Sequence, residues 1–151
     1  MTTGRCILSS PEAVLGIIFP LSQRHIERFF EENKTVFVKF YGKESLPSRL
    51  RPGSKLYFYQ SGGGKEIVGE AKIVDISSGT LDQVWSRFAG SLFLSRSEFE
   101  AYVGERKQRR MLVLVLERAR KYQFSLRLNR PVTMAGEYMT QETHDKLKTK
   151  V

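Results

Sequence analysis

Residues 52–76 read PGSKLYFYQSGGGKEIVGEAKIVDI and predict a strand, a turn and a second strand. Residues 55–61 are dense in aromatic side chains of high β-propensity, and residues 67–76 are β-branched and mostly apolar. The glycines at 62–64 supply a turn without side chains. We therefore predict a β-hairpin at the centre of the fold.

The first strand of this hairpin presents two faces, because successive side chains point to opposite sides of a sheet. Each face is largely apolar or aromatic and ends in a polar side chain: Leu56, Phe58 and Gln60 share one, and Tyr57, Tyr59 and Ser61 share the other. In the second strand Gly69 indicates either a β-bulge or the close approach of another group. The polar end of the first strand is therefore a candidate binding site.

Length and composition predict one domain with a polyanionic partner. The chain has 151 residues, of which 40% are hydrophobic, and a formal net charge of +9. That length suffices for a single domain spanning 1–151, with irregular or mobile ends at 1–11 and 140–151. The positive charge favours RNA, DNA or an acidic membrane surface, and a charged coat without such a partner is the alternative.

Cysteine content and hydropathy predict the protein's compartment. Cys6 is the single cysteine, so no intramolecular disulfide can form, and its distance from His25 and His144 gives no zinc-ligand spacing. We predict no metal, no cofactor and no membrane association, since the longest apolar runs are far shorter than the roughly 20 residues that span a bilayer. The N-terminus lacks the apolar segment of a secretory signal, so we expect a cytoplasmic protein. The oligomeric state is left open.

The order of the remaining elements predicts the fold class. N-cap residues Ser22, Thr80 and Ser95 predict three helices. Strands are predicted at 14–19, 35–41 and 111–116, with another, poorly bounded, over 117–132. Because strands and helices do not alternate regularly, we predict an α+β domain with a curved or barrel-like mixed sheet.

At this point the segments PGSKLYFYQS and IVGEAKIVDI, with MLVLVL later in the chain, resemble the PUA-like superfamily and its EVE and ASCH-type branches. The resemblance covers about residues 13–139, the expected core, and extends to a small group of uncharacterised archaeal proteins. It implies a pseudo-barrel of five or six mixed strands with two or three flanking helices. It also implies a groove that relatives use for RNA or for a single modified nucleobase.

The resemblance implies roles for particular residues. Tyr59, Gln60 and Ser61 match the strand end that lines the pocket of EVE-like relatives, although those proteins often have His at the position of Gln60. ASCH-type amidohydrolases use a Lys, a hydroxyl residue and a Glu, and here Lys39, Ser61 and Glu70 are the set that can be nominated. The spacing around Lys39 departs from the amidohydrolase signature.

We favour a domain that binds nucleic acid, RNA in particular, and recognises an unpaired or modified nucleobase in a basic groove. In this hypothesis Tyr57 or Tyr59 stacks on the base, while Gln60 and Ser61 contact its edge. The alternative for Tyr57 is a place in the core, since one face of a barrel strand points inward, and the alternative for Ser61 is an ordinary turn residue. Phosphates are neutralised by basic residues of the strands, the 42–53 loop and the turns: Lys39, Lys43, Arg49, Arg51, Lys65, Arg109 and Arg110.

Two other functions remain open. The first is an ASCH-like amidohydrolase acting on a modified nucleoside, with Ser61 as the nucleophile, Lys39 as a base of lowered pKa and Glu70 orienting them. Against it, Glu70 is equally placed to pair with Lys55 or Lys72 across the strands. The second is a subunit whose basic surface docks an acidic protein. We favour binding over catalysis.

Overall fold

The computed structural model describes residues 13–40, 49–62, 65–128, 131–133 and 135–149. Its strands are β1 Val14–Leu21, β2 Val36–Lys39, β3 Lys55–Gln60, β4 Glu66–Gly79, β5 Met111–Arg127 and β6 Glu137–Thr140. Its helices are α1 Gln23–Glu31, α2 Leu81–Phe88, α3 Arg96–Val103 and α4 Gln141–Thr149. The predicted α+β class is confirmed.

The strands form one mixed sheet that does not close. The order across it is β2-β5-β4-β3-β1-β6. Strands β1 and β3 are parallel, and all other neighbours are antiparallel. A curved six-stranded sheet with flanking helices agrees with the pseudo-barrel that the resemblance implies.

The predicted hairpin is present as β3 and β4, and both faces of β3 are buried. Leu56 and Phe58 lie in the main core, which also contains the apolar side of α1. Tyr57 and Tyr59 lie in a second core on the other face, which includes Leu147 of α4. The hairpin is therefore the layer that separates two hydrophobic cores.

Strand β5 is longer than the sequence predicts. Residues 111–116 and 117–127 form one continuous strand, because the 14-residue β4 pairs with both parts. The register between the two strands shifts at three places, and Arg118 has a positive φ of 56°. Such irregularities bend a strand and increase its twist, so the pair formed by β4 and β5 is curved.

Helix α4 occupies a segment where we expected an irregular or loosely helical end. The Leu147 side chain of this helix is 6% exposed, because it packs into the second core. The His144 ring lies 6.3 Å from that of Tyr57. At the start of the helix, Thr143 N donates to Thr140 Oγ1 at 3.2 Å. The predicted irregular segment at 1–11 lies outside the described residues.

The three predicted helix starts are observed. Ser22 Oγ accepts a hydrogen bond from His25 N at 3.3 Å. Thr80 N donates to Gln83 Oε1 at 3.0 Å. Ser95 and Glu98 form a reciprocal capping box, with Glu98 N to Ser95 Oγ at 3.2 Å and Ser95 N to Glu98 Oε1 at 2.9 Å.

The close approach predicted at Gly69 gives a test of this packing. A Cβ at this position would lie 2.6 Å from Arg120 O and 2.5 Å from Phe30 Cζ. We expect Gly69→Ala to lower the free energy of unfolding by about 1–3 kcal/mol, because β5 and the ring must both shift. Denaturant unfolding measures it. Gly90→Ala, where a Cβ meets nothing within 4 Å, is the control, and equal stability of the two variants would contradict the packing.

Candidate functional site

A cleft of about 480 Å³ lies between the start of α1, helix α3 and the ends of β1, β2 and β3. Much of its lining is apolar and comes from Phe37, Val38, Phe93 and Leu94. Polar and charged side chains lie among these apolar groups. This combination and volume are typical of sites for small, partly apolar ligands, which measure about 300–1,000 Å³.

Lys39 ends β2 and lines this cleft with a buried side chain. It is 8% exposed, and its Nζ lies 5.5 Å from the centre of the Phe19 ring. Desolvation lowers the pKa of Lys39 below its ordinary value. Within the described ranges no carboxylate lies at ion-pair distance from Nζ. A buried ammonium without a carboxylate is a strong donor for an incoming oxygen acceptor.

Ser61 follows β3 and lines the same cleft. Its backbone N donates to Leu21 O at 2.9 Å, which fixes the end of β3 beside the end of β1. Ser61 is exposed, whereas Lys39 is buried. Lys39 and Ser61, two residues that the sequence nominates, therefore line one cleft although they are 22 positions apart in the chain.

Glu98 of α3 joins this helix to α1 at the wall of the cleft. Arg28 donates to both of its oxygens, with Nη1 to Oε1 at 2.6 Å and Nη2 to Oε2 at 3.0 Å. Arg28 Nη1 also donates to Phe93 O at 2.9 Å, and Arg24 Nη2 donates to Glu98 Oε2 at 2.9 Å. Hydrogen bonds from Arg28 and from the Ser95 backbone lower the pKa of Glu98 to about 2. The carboxylate is thus ionised and held on several sides.

His25 lies beside this ion pair. Its Nε2 is 3.9 Å from Glu98 Oε2, and within the described structure that buried nitrogen has no hydrogen-bond partner. The ring packs edge-on against Phe93, with centres 5.4 Å apart. Burial, followed by the charge of Arg28, lowers the pKa of His25, so the imidazole is neutral at neutral pH.

Aromatic and basic side chains lie next to Tyr102, a residue of α3 in the cleft wall. Tyr102 lines the cleft, and its hydroxyl accepts from Phe40 N at 2.8 Å. The Tyr102 and Phe40 rings stack with centres 5.4 Å apart. The guanidinium carbons of Arg106 and Arg109 lie 4.0 and 5.0 Å from the centre of the Phe40 ring. Two guanidinium groups thus lie against the ring that stacks on Tyr102.

Comparison with known proteins identifies the family. Residues 14–141 match the family described as "Domain of unknown function (DUF365)". The chain belongs to the DUF365 family. It is also similar to an uncharacterised protein of Methanocaldococcus jannaschii, with 23% identity over 107 residues that cover 64% of this chain and 99% of the relative.

Two solved structures share the fold of this DUF365 chain. ASCH from Zymomonas mobilis superposes with a TM-score of 0.73 at 17% identity, covering 89% of this chain and 94% of the other. The N-terminal domain of Staphylothermus marinus McrB superposes with a TM-score of 0.54 at 11% identity, covering 89% and 92%. At such identities the likeness concerns the fold. The predicted resemblance to ASCH-type, PUA-like domains is confirmed.

The two tyrosines nominated for base stacking are core residues of the DUF365 fold. Tyr57 is 1% exposed and Tyr59 is 5% exposed, on the sheet face away from the cleft. Burial raises the pKa of Tyr57 above its ordinary range. Neither ring offers a face to solvent, because Leu128, Val132 and Leu147 of α4 pack in the same core. Gln60, at the end of β3, is partly buried.

Glu70 lies apart from Lys39 and Ser61 in the DUF365 chain and is not a lining residue of the cleft. Lys55 Nζ is 2.9 Å from its Oε2, and Tyr122 Oη donates to its Oε1 at 2.7 Å. Burial opposes its ionisation, but the hydrogen bonds from Tyr122 and Lys55 keep the pKa of Glu70 below its ordinary value. The cross-strand pairing considered for Glu70 is therefore observed, with Lys55.

The remaining nominated cations are spread over the DUF365 surface. Arg49 lies over the Tyr138 ring at 5.6 Å, and Arg110 Nε donates to Ser78 Oγ at 2.9 Å. Lys65 is in the β3–β4 turn, and Arg51 begins the turn before β3. None of these four lines the cleft, and Lys43 lies outside the described residues.

No helix in the described parts of the chain has the length and apolarity needed to cross a membrane.

Sequence reasoning missed the charged cluster at the cleft wall. It assigned Glu98 to a capping box, a role that the residue does have. Because that role already explained the residue, its ion pairs with Arg24 and Arg28 were not predicted. Arg24 and Arg28 are spaced four apart in α1, which is the one local signal that they share a helix face. Their common partner lies 70 positions or more away, so only the fold connects them.

The Glu98 ion pairs give a second test. We expect Glu98→Gln to lower the free energy of unfolding at neutral pH by about 1–2 kcal/mol, allowing for partial exposure. The carboxylate's contribution is complete above the ordinary Glu pKa of 4.5 and is lost as the pH falls towards about 2, because the folded-state pKa is the lower one.

Thermal and denaturant unfolding across this pH range measure the effect. Glu100→Gln is the matched control, since Glu100 is on the same helix and pairs with Arg96 at 2.6 Å but is half exposed. We expect this control to change stability by less than about 0.5 kcal/mol. Equal losses in both variants, or a Glu98→Gln deficit that does not shrink in acid, would contradict the account.

Proposed function

We propose that this DUF365 protein binds single-stranded nucleic acid, RNA in particular, and holds one unpaired or modified nucleobase in the cleft. The observation that carries the proposal is Lys39, a buried ammonium in an apolar cleft, with no carboxylate partner among the described residues. A nucleobase is flat and apolar on its faces and carries oxygen and nitrogen acceptors on its edge. It therefore complements both properties of the cleft.

The lining supplies contacts for a ring and for its edge. Tyr102, which is partly exposed, offers an aromatic ring, and stacking of a base on such a group contributes about 1–3 kcal/mol. Phe37 and Phe93 are 1% and 4% exposed and form the apolar floor beneath the base. Lys39 and Ser61 supply donors to carbonyl oxygens at the edge. In this proposal the aromatic stacking comes from Tyr102 and not from Tyr57 or Tyr59.

Charge outside the cleft supports binding of the backbone. Arg24 lines the mouth with a side chain that is 71% exposed, and the chain carries a net charge of +9. Phosphate contacts of this kind make affinity fall steeply with salt. Contacts of flanking phosphates with Lys43, Arg49, Arg51, Lys65, Arg109 and Arg110, an edge contact of Gln60 and a cytoplasmic location stay predictions.

A second candidate is hydrolysis of a modified nucleoside in the same cleft. It is favoured by the lowered pKa of Lys39, which raises the fraction of neutral amine able to act as a base, and by the Ser61 hydroxyl on the same lining. Glu70 is held by Lys55 and Tyr122 and has no part in this version. Release of the acyl group from an acylated cytidine, lost in Ser61→Ala, would establish catalysis.

The binding proposal is tested with Lys39→Met, which keeps an unbranched side chain and removes the charge. We expect affinity for a short single-stranded RNA to fall about tenfold, since a hydrogen bond from a charged group contributes about 1.5–3 kcal/mol. Fluorescence anisotropy at low salt measures it. Folding is expected to be retained, because an uncompensated buried cation is removed.

The matched control is Lys72→Met, which makes the same change in net charge. Lys72 is on β4, 46% exposed and 3.7 Å from Glu117, and does not line the cleft. We expect less than about a threefold loss, the effect of one screened surface charge. Equal losses in the two variants would reject the cleft as the site. Absence of binding to any nucleic acid at low salt would reject the proposal and favour docking of an acidic protein.

A further inference from the structure

Arg106 is held in a fixed orientation at the end of α3. Its Nε donates to Val103 O at 3.2 Å, and its Nη2 donates to Tyr102 O at 2.6 Å. Carbonyl groups in the last turn of a helix have no partner within the helix, and the helix dipole favours a cation there. Both hydrogen bonds lie in the guanidinium plane, so they define the direction in which its flat faces point.

One of those faces covers an aromatic ring. The Arg106 guanidinium carbon lies 4.0 Å from the centre of the Phe40 ring, which directly follows Lys39 in the chain. Phe40 stacks in turn on Tyr102, a lining residue of the cleft. Arg106 and Phe40 do not line the cleft themselves, but both contact Tyr102, which does. Arg106 itself is exposed to solvent.

A guanidinium whose orientation is already fixed is suited to stacking on a nucleobase. Its planar, weakly hydrated surface stacks on aromatic rings, and unpaired bases are commonly recognised by arginine planes as well as by aromatic side chains. A long side chain normally loses rotamer freedom when it binds, a cost that weakens binding. Here the helix carbonyls and Phe40 have already fixed the side chain, which lowers that cost.

We propose that the exposed face of Arg106 stacks on the base that neighbours the one in the cleft, so that the protein contacts two consecutive unpaired nucleotides. The inference rests on the proposed function and adds a second base site to it. Arg109, 5.0 Å from the same Phe40 ring, and the exposed Lys107 place positive charge beside this site for the connecting phosphates.

The same contacts also cap α3, so the test needs a readout that capping alone does not change. Two probes provide it: a single-stranded oligouridylate, and an oligonucleotide of equal length in which every second nucleotide is abasic. The phosphate charge is the same in both. In the second probe every base has only abasic neighbours, so the cleft can be filled but the Arg106 site cannot.

We expect the unchanged protein to bind the complete oligouridylate about tenfold more tightly than the alternating abasic probe, which corresponds to one stacked base. Arg106→Lys keeps the charge and the donors to the helix carbonyls but removes the flat face. It should bind both probes within about threefold of each other, near the affinity of the unchanged protein for the abasic probe.

Arg87→Lys is the matched control, because Arg87 lies 4.9 Å from the centre of the Phe88 ring on α2 and does not line the cleft. It should keep the tenfold discrimination. Retained discrimination in Arg106→Lys would overturn the inference. So would equal binding of both probes by the unchanged protein, a result that needs no variant to fold. If that binding still depends on Lys39, the proposed function stands alone; if neither probe binds, both fail.

Discussion

The ion pair between Glu98 and Arg28 is the interaction on which the cleft depends. It connects α3 to α1 through two hydrogen bonds to one carboxylate, and the same arginine holds the Phe93 carbonyl in the segment before α3. Without it the two helices have few other polar contacts to set their separation in the described structure. A bidentate pair fixes direction as well as distance, so it determines the width of the cleft between them.

Burial of the sheet on both faces decides where a ligand can enter. The main core fills the space under α1, and the second core, closed by α4, fills the other side. The cleft of about 480 Å³ stays open at the strand ends, where β1 and β3 are tied by the hydrogen bond from Ser61 N to Leu21 O. Lys39 comes to this place because β2 ends there, and its burial follows from the surrounding aromatic groups.

Local patterns predicted the hairpin and the helix caps, because alternation and capping depend on near neighbours in the chain. Lys39 and Ser61 were nominated together through the resemblance to ASCH-type proteins. A core position was an open alternative for Tyr57, but the second core that also buries Tyr59 includes Leu147 of α4, whose packing depends on the fold. The partners of Glu70 were missed in part, because Tyr122 reaches it only through the shifted β4–β5 register. The ion pairs of Glu98 at the cleft wall were missed because they join residues 70 or more positions apart in the chain.

Nuclear magnetic resonance of the isotope-labelled protein during titration with single-stranded RNA tests the central claim most directly. The account predicts that backbone amide signals of Val38, Lys39, Ser61 and Ala101 shift with added RNA. Signals of Tyr57 and His144, on the opposite side of the sheet, should stay in place. Shifts concentrated around α4 and the second core, with the cleft signals unchanged, would contradict it.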